Sequence, residues 1–125
     1  MNRHRRFVVQ ALLAALAMPH VTVGSSQAYP IRPIRIIVPS PPGGIVDVEV
    51  RRLATHLAEA LGQQVIIDNR PGASNTIGTA LGARAPPDGY ALTWGSTTAL
   101  AVAPALMPKL PYDPLEDFEP IALYG

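Results

Sequence analysis

The chain of 125 residues has no cysteine, one tryptophan and three histidines. Without cysteine there is no disulfide to staple the fold and no thiolate for catalysis, so an exported domain of this sequence must be held by core burial alone. Two histidines lie before residue 29. No Ser–His–Asp set can be assembled around the third, His56, which reads as a solvated position in mid-helix. No His/Asp/Glu cluster has metal-ligand spacing, so neither a metal nor a cofactor is expected, and no enzyme. Charge is scarce, with ten Lys+Arg against nine Asp+Glu. Arg3, Arg5 and Arg6 precede Tyr29 with no acid beside them, which leaves seven basic and nine acidic residues afterwards, a net charge of −2. That balance offers no basic stripe to a nucleic acid. Pro42-Gly43-Gly44 lacks both the third glycine of G-x-G-x-x-G and the G-K-[ST] ending of a P-loop, which disfavours a nucleotide enzyme.

Residues 1–28 read as an export signal, cleaved after Ala28. A basic start is followed by the mostly apolar run Phe7 to Met18 and by the small residues Ser26-Gln27-Ala28. The run falls short of the ~18 apolar residues of a membrane span. Arg5-Arg6 is compatible with twin-arginine export, although the general secretory route is the simpler reading. Residues 29–125 are enough for one small domain, yet their elements resemble the opening section of a larger α/β protein. The segment Ile121-Ala122-Leu123-Tyr124-Gly125 reads as part of a strand starting near Pro120, and truncation is the expectation.

Ile34 to Val38 is a β-branched apolar run, the pattern of a buried parallel strand. Val46, Val50, Leu53, Leu57 and Leu61 then recur at helical spacing, with Gly62 as the stop. Val65-Ile66-Ile67 predicts a second strand, Asp68 to Ser74 a polar loop, and Asn75 to Ala85 a helix of small residues. After the turn Pro86-Pro87-Asp88-Gly89, Tyr90 to Gly95 predicts a third strand, and Ser96-Thr97-Thr98 can cap a short helix through Leu106. Alternating strands and helices imply a mainly parallel α/β sheet.

Parallel sheets take ligands outside the carboxyl ends of their strands. Three segments leave strands there: Ser40 to Asp47, Asp68 to Thr76, and Gly95 to Thr98. In the first, an apolar strand passes through Pro41-Pro42-Gly43-Gly44 straight into a helix. The unpartnered N–H groups and positive dipole end of that helix suit a small carboxylate. Gly43 and Gly44 carry no Cβ to keep a ligand from the main chain. The candidate ligand-binding residues are Pro42, Gly43, Gly44, Asp47, Gly72, Ala73, Ser74, Thr76, Ser96 and Thr97, with Asp47 favoured as a cap on the helix ahead of ligand contact. Arg70 is equally placed to meet an anion or to pair with Asp68 or Asp88.

The ordered set Tyr29-Pro30…Pro33-Ile34-Arg35-Ile36-Ile37-Val38-Pro39…Pro41-Pro42-Gly43-Gly44…Asp47, Leu61-Gly62-Gln63, Asp68-Asn69-Arg70-Pro71-Gly72-Ala73…Ile77-Gly78, Ala85-Pro86-Pro87-Asp88-Gly89-Tyr90 and Leu110-Pro111-Tyr112-Asp113-Pro114…Asp117-Phe118…Pro120 resembles the Bug-type extracytoplasmic solute-binding receptors of the tripartite tricarboxylate transporter family. The resemblance covers residues 29–125. It implies a periplasmic-binding-protein type II-like fold, with two lobes closing about a hinge on a small organic acid. It also implies membrane transporter subunits as partners, a periplasmic location and no covalent chemistry. Only a partial first lobe is represented, roughly half of a cleft, so the expectation for residues 29–125 alone is weak binding and poor folding. The alternative is a truncated, non-binding remnant of such a receptor, with a small periplasmic enzyme a distant third. The chain departs from the family pattern at Ile45-Val46, where a small residue and threonine are frequent, and at Ser74-Asn75-Thr76, which is often glycine-rich. Both changes bear on the ligand rather than on the architecture.

Overall fold

The protein is described here from a computed structural model, which places residues 28–124; the expected export signal lies outside the described residues except for Ala28. Strand β1 spans Ile34–Val38, helix α1 Ile45–Leu61, strand β2 Val65–Asn69, helix α2 Thr76–Ala83 and strand β3 Ala91–Thr93. A π-helical turn, Thr98–Val102, then runs into the single α-helical turn α3, Ala103–Leu106. No helix among the described residues is long and apolar enough to cross a membrane.

The sheet is parallel throughout, in the order β2-β1-β3. Ile34 aligns with Val65 and Val38 with Asn69 on one side of β1, while Arg35 to Ile37 align with Ala91 to Thr93 on the other. Side chains alternate across a strand, which gives β1 two working faces. Ile36 and Val38 pack with Val50 and Ala54 of α1, joined by Val46, Leu57, Val65, Ile67, Leu92 and Trp94. The opposite face carries Ile37, fully buried, and receives α2. There the helix comes so close that a Cβ on Gly78 would stand 2.8 Å from Pro39 Cα, and one on Gly82 would overlap Thr93 Oγ1. The small residues of α2 are therefore what lets it lie on the sheet.

α1 ends where the sequence stops it, with Gly62 in the left-handed region at φ 63°. Other boundaries differ from the sequence expectation. β2 continues through Asp68 and Asn69, expected in a loop, because both align with β1 and the Arg70 N–H extends the ladder to Val38 O at 2.8 Å. α2 begins one residue later than expected, since Asn75 sits at φ 72°, and stops at Ala83. β3 is shorter than its apolar run, although Trp94 N–H still bonds Ile37 O at 2.9 Å. The expected short helix opens as a π turn, its Ala103 N–H reaching Thr98 O, and Pro104 offers no N–H to the carbonyl four residues before it. Residues 120–124 form no strand. Among the described residues no strand pairs with them, and Ile121 and Leu123 are exposed, although the Tyr124 ring meets Trp94 edge-on at 5.1 Å.

The amino-terminal segment is clasped to the turn before β3. Tyr29 OH donates to Gly89 O at 2.6 Å, Ile31 N–H donates to Tyr90 OH at 3.0 Å, and Arg32 pairs with Asp88 at 2.7 Å while lying 3.9 Å from the Tyr90 ring centre. At the far end of the chain, Tyr112 OH donates to Ala99 O at 2.7 Å and fixes the irregular 108–117 connection against the π turn.

Candidate functional site

Because all three strands run the same way, the segments after β1, β2 and β3 leave from one edge. The order β2-β1-β3 sends the chain to one side of β1 and then to the other, which puts the topological switch point between the ends of β1 and β3. A small hollow of about 30 Å³ opens there, lined by Pro39, Ser40, Val46, Asn75, Trp94 and Ser96. All three segments thus contribute to one place. The second and third are tied directly, Asn75 Nδ2 donating to Ser96 Oγ at 3.2 Å. Ser96 Oγ also accepts the Ala99 N–H at 3.2 Å, so this serine opens the π turn as the sequence suggests. Ser40 Oγ, by contrast, is buried at the hollow without a hydrogen-bond partner among the described residues. Buried hydroxyls are nearly always satisfied, so an unsatisfied one calls for an explanation.

The loop between β1 and α1 is held from behind. Asp47, buried at 3% exposure, accepts Gly43 N–H and Arg51 Nε on Oδ2, both at 2.9 Å, and Asn69 Nδ2 on Oδ1 at 2.9 Å. Asn69 Nδ2 also donates to Ser40 O at 3.1 Å, and its Oδ1 accepts from Arg51 at 3.3 Å. The Arg51 guanidinium, the Gly43 N–H and the Asn69 amide, in that order of effect, hold the Asp47 carboxyl well below the ordinary carboxylate range. The reciprocal hydrogen bond from Asp47 raises Arg51 above its ordinary value. The Asp47 carboxylate therefore reaches back to a residue before the helix and forward to its own next turn, while α1 itself has no side-chain cap. Its first-turn N–H groups, which lack intrahelical partners, remain the free donors.

The loop after β2 carries the longest run of positive-φ backbone among the described residues. Gly72 sits at φ 129°, and Ala73, Ser74 and Asn75 follow at 45°, 54° and 72°. Three successive residues with a Cβ in the left-handed region are each strained by roughly 1 kcal/mol or more, and such strain gathers at binding sites. Thr76 stabilises the turn by donating its hydroxyl to Ala73 O at 2.7 Å, as Thr79 does to Asn75 O at 2.8 Å.

The residues singled out by sequence fall into two groups. Pro42, Gly43, Gly44, Gly72, Ala73, Ser74 and Thr97 are exposed along the strand-end edge, and Ser96 lines the hollow. Asp47 and Thr76 are buried and engaged within the protein, Asp47 as the anchor of the first loop and Thr76 as the brace of the second. Thr76 also borders a larger hollow of about 380 Å³ beside α2, with Ile77, Ala80, Leu81, Arg70, Arg84 and Pro111. None of its lining residues comes from the segments that leave β1 and β3, and among the described residues it holds no unsatisfied buried side-chain group. Arg70 Nε pairs with Asp68 at 2.7 Å, the internal pair that the sequence offered as one of its two readings. Sequence reasoning placed Ser40 at the start of the first edge segment without making it a site residue, and it read Asn69 as loop. Only the strand register and the burial of Ser40 Oγ give them their weight.

The chain matches, over residues 49–124, the family described as the tripartite tricarboxylate transporter family receptor. It is 45% identical over its whole length to Protein BugT of Bordetella pertussis and covers 38% of that protein. Among solved structures, periplasmic binding protein BugD superposes with TM-score 0.71 at 41% identity, over 74% of this chain and 31% of BugD. MatC from Rhodopseudomonas palustris, solved with bound malate, gives TM-score 0.72 at 39% identity, over 76% of this chain and 32% of MatC. The chain thus spans about a third of the length of the relatives it matches.

Proposed function

As the chain belongs to the tripartite tricarboxylate transporter receptor family, we propose that it supplies one wall of a periplasmic cleft that captures a small organic acid and passes it to membrane transporter subunits. The family is one of receptors, not of enzymes. In this reading the carboxylate lies across the switch point, taking hydrogen bonds from first-turn N–H groups of α1 and from Ser40 Oγ. Pro42, Gly43 and Gly44 shape the mouth, the strained Gly72–Ser74 turn stands opposite, and Ser96 and Thr97 close the side toward β3. Asp47 and Thr76 hold those loops in place. The observation that carries the proposal is the unpartnered Ser40 Oγ at the point where all three strand-end segments meet. The malate bound to MatC supports the ligand class.

The test is calorimetric titration of the full-length protein with a panel of mono-, di- and tricarboxylates. Saturable binding to at least one is expected, and a panel without any binder overturns the proposal. Ser40→Ala separates stability from binding. Removing a buried, unsatisfied hydroxyl should leave the unliganded protein unchanged or up to about 1 kcal/mol more stable, whereas affinity should fall roughly tenfold with the lost donor. Loss of stability without loss of affinity would place Ser40 in the fold and not in the site.

A further inference from the structure

We propose that Asn69, the last residue of β2, is the positioning residue for the ligand-binding loop between β1 and α1. This rests on the reading of that loop as the ligand's seat. The chemistry of the amide carries the inference. Asn69 Nδ2 has two protons and gives them to two acceptors on the far side of the loop, Ser40 O at 3.1 Å and Asp47 Oδ1 at 2.9 Å. Its Oδ1 accepts Arg51 at 3.3 Å. A group with two donors and an acceptor at this reach is needed, and only asparagine fits. Aspartate has no donor when ionised, leucine has neither function, and glutamine is one methylene too long.

The consequence is directional. Asn69 stands in register with Val38, so its amide is fixed by the ladder on which the site is built. From there it holds the Ser40 carbonyl at the loop's start and the Asp47 carboxylate at its end. Asp47 in turn draws the Gly43 N–H inward at 2.9 Å. The Ser40 carbonyl, the Gly43 N–H and the Asp47 carboxylate are thereby engaged within the protein. Ser40 Oγ and the first turn of α1 are what remain for a ligand. Asn69 is not among the residues that line the hollow and bonds one of them, through the Ser40 carbonyl.

The experiment uses the full-length protein with Asn69→Asp, Asn69→Leu and, as a control for general damage to β2, the solvent-facing change Ile66→Thr. Amide hydrogen exchange is followed across residues 40–47, and succinate and malate are titrated by calorimetry. Both Asn69 variants should speed exchange at 40–47 relative to α2 and β3 and weaken dicarboxylate binding about ten- to hundredfold. The control should change neither. Unaltered exchange at 40–47, or a lowered melting temperature with undiminished affinity, overturns the proposal. If both Asn69 variants fail to fold, the native protein still decides: both side-chain amide protons of Asn69 should exchange slowly by NMR, and rapid exchange of either contradicts the clamp. If native protein binds neither succinate nor malate, the exchange data judge the clamp by themselves, and the ligand reading stands or falls on the wider carboxylate panel.

Discussion

Gly78→Ala should be among the most damaging single-methyl additions in this chain, destabilising the fold by about 1–3 kcal/mol as judged by denaturant melts. The new Cβ would lie 2.7 Å from Arg70 O and 2.8 Å from Pro39 Cα. Both are main-chain atoms, so no rotamer can relieve the contact and α2 must lift from the sheet. Gly82→Ala makes the informative comparison. Its Cβ also collides, but with the side chain of Thr93, meeting Oγ1 and Cγ2. Thr93→Ala should therefore rescue a substantial part of the Gly82→Ala loss and none of the Gly78→Ala loss. Because Pro39 lines the hollow and Arg70 opens the strained turn, lifting α2 at Gly78 should also weaken ligand binding, whereas Gly82 lies one helical turn further from the site. Equal rescue in both backgrounds would mean that the helix adjusts as a body.

Asp47 should have the largest effect of any polar substitution. Asp47→Ala leaves the Gly43 N–H, one Asn69 amide proton and the Arg51 guanidinium without their acceptor, and affinity should fall by roughly tenfold or more. The same carboxylate predicts an acid limb. Its pKa in the folded protein is depressed from 3.8, so the unfolded chain binds the proton first as pH drops. The stability it contributes is therefore complete above about pH 4 and is lost progressively below it. Asp47→Asn should flatten the stability profile between about pH 4 and pH 2 relative to the native protein. Asp88 is depressed in the same sense, chiefly by the Tyr90 N–H with help from Arg32, and Asp88→Asn should remove a separate part of that limb. An unchanged acid profile in the Asp47 variant would show that its bonds do not stabilise the fold.

Much of this was readable in advance because it depends on pattern. The β-branched run Ile34–Val38, the three- and four-residue spacing from Val46 to Leu61 and the stop at Gly62 each follow from local rules, and β1 and α1 lie within a residue of where those rules put them. The edge at which the three loops gather followed as well, since parallel strands with helical crossovers leave their loops at one end. What sequence could not supply were pairings between distant residues. Asn69 and Asp68 look like turn formers, but register with β1 makes them strand. Asp47 looked like a helix cap and is instead an acceptor shared by Gly43, Arg51 and Asn69, a role defined by a residue 22 positions away. Apolarity alone misled at residues 120–124, because a strand requires a partner and a hydrophobic run does not provide one. Nor does a serine after a strand announce that its hydroxyl will be buried and unpaired, as Ser40 Oγ is.

The central claim is that a carboxylate sits at the switch point between β1 and β3. The most direct measurement is an amide NMR titration of the full-length protein with the tightest-binding carboxylate of the panel. The account predicts the largest shifts at Gly44, Ile45, Val46 and Ser96, with Ser40 close behind. Shifts concentrated instead on Ile77, Leu81, Arg84 and the segment around Pro111 would place the ligand in the larger hollow beside α2 and contradict it.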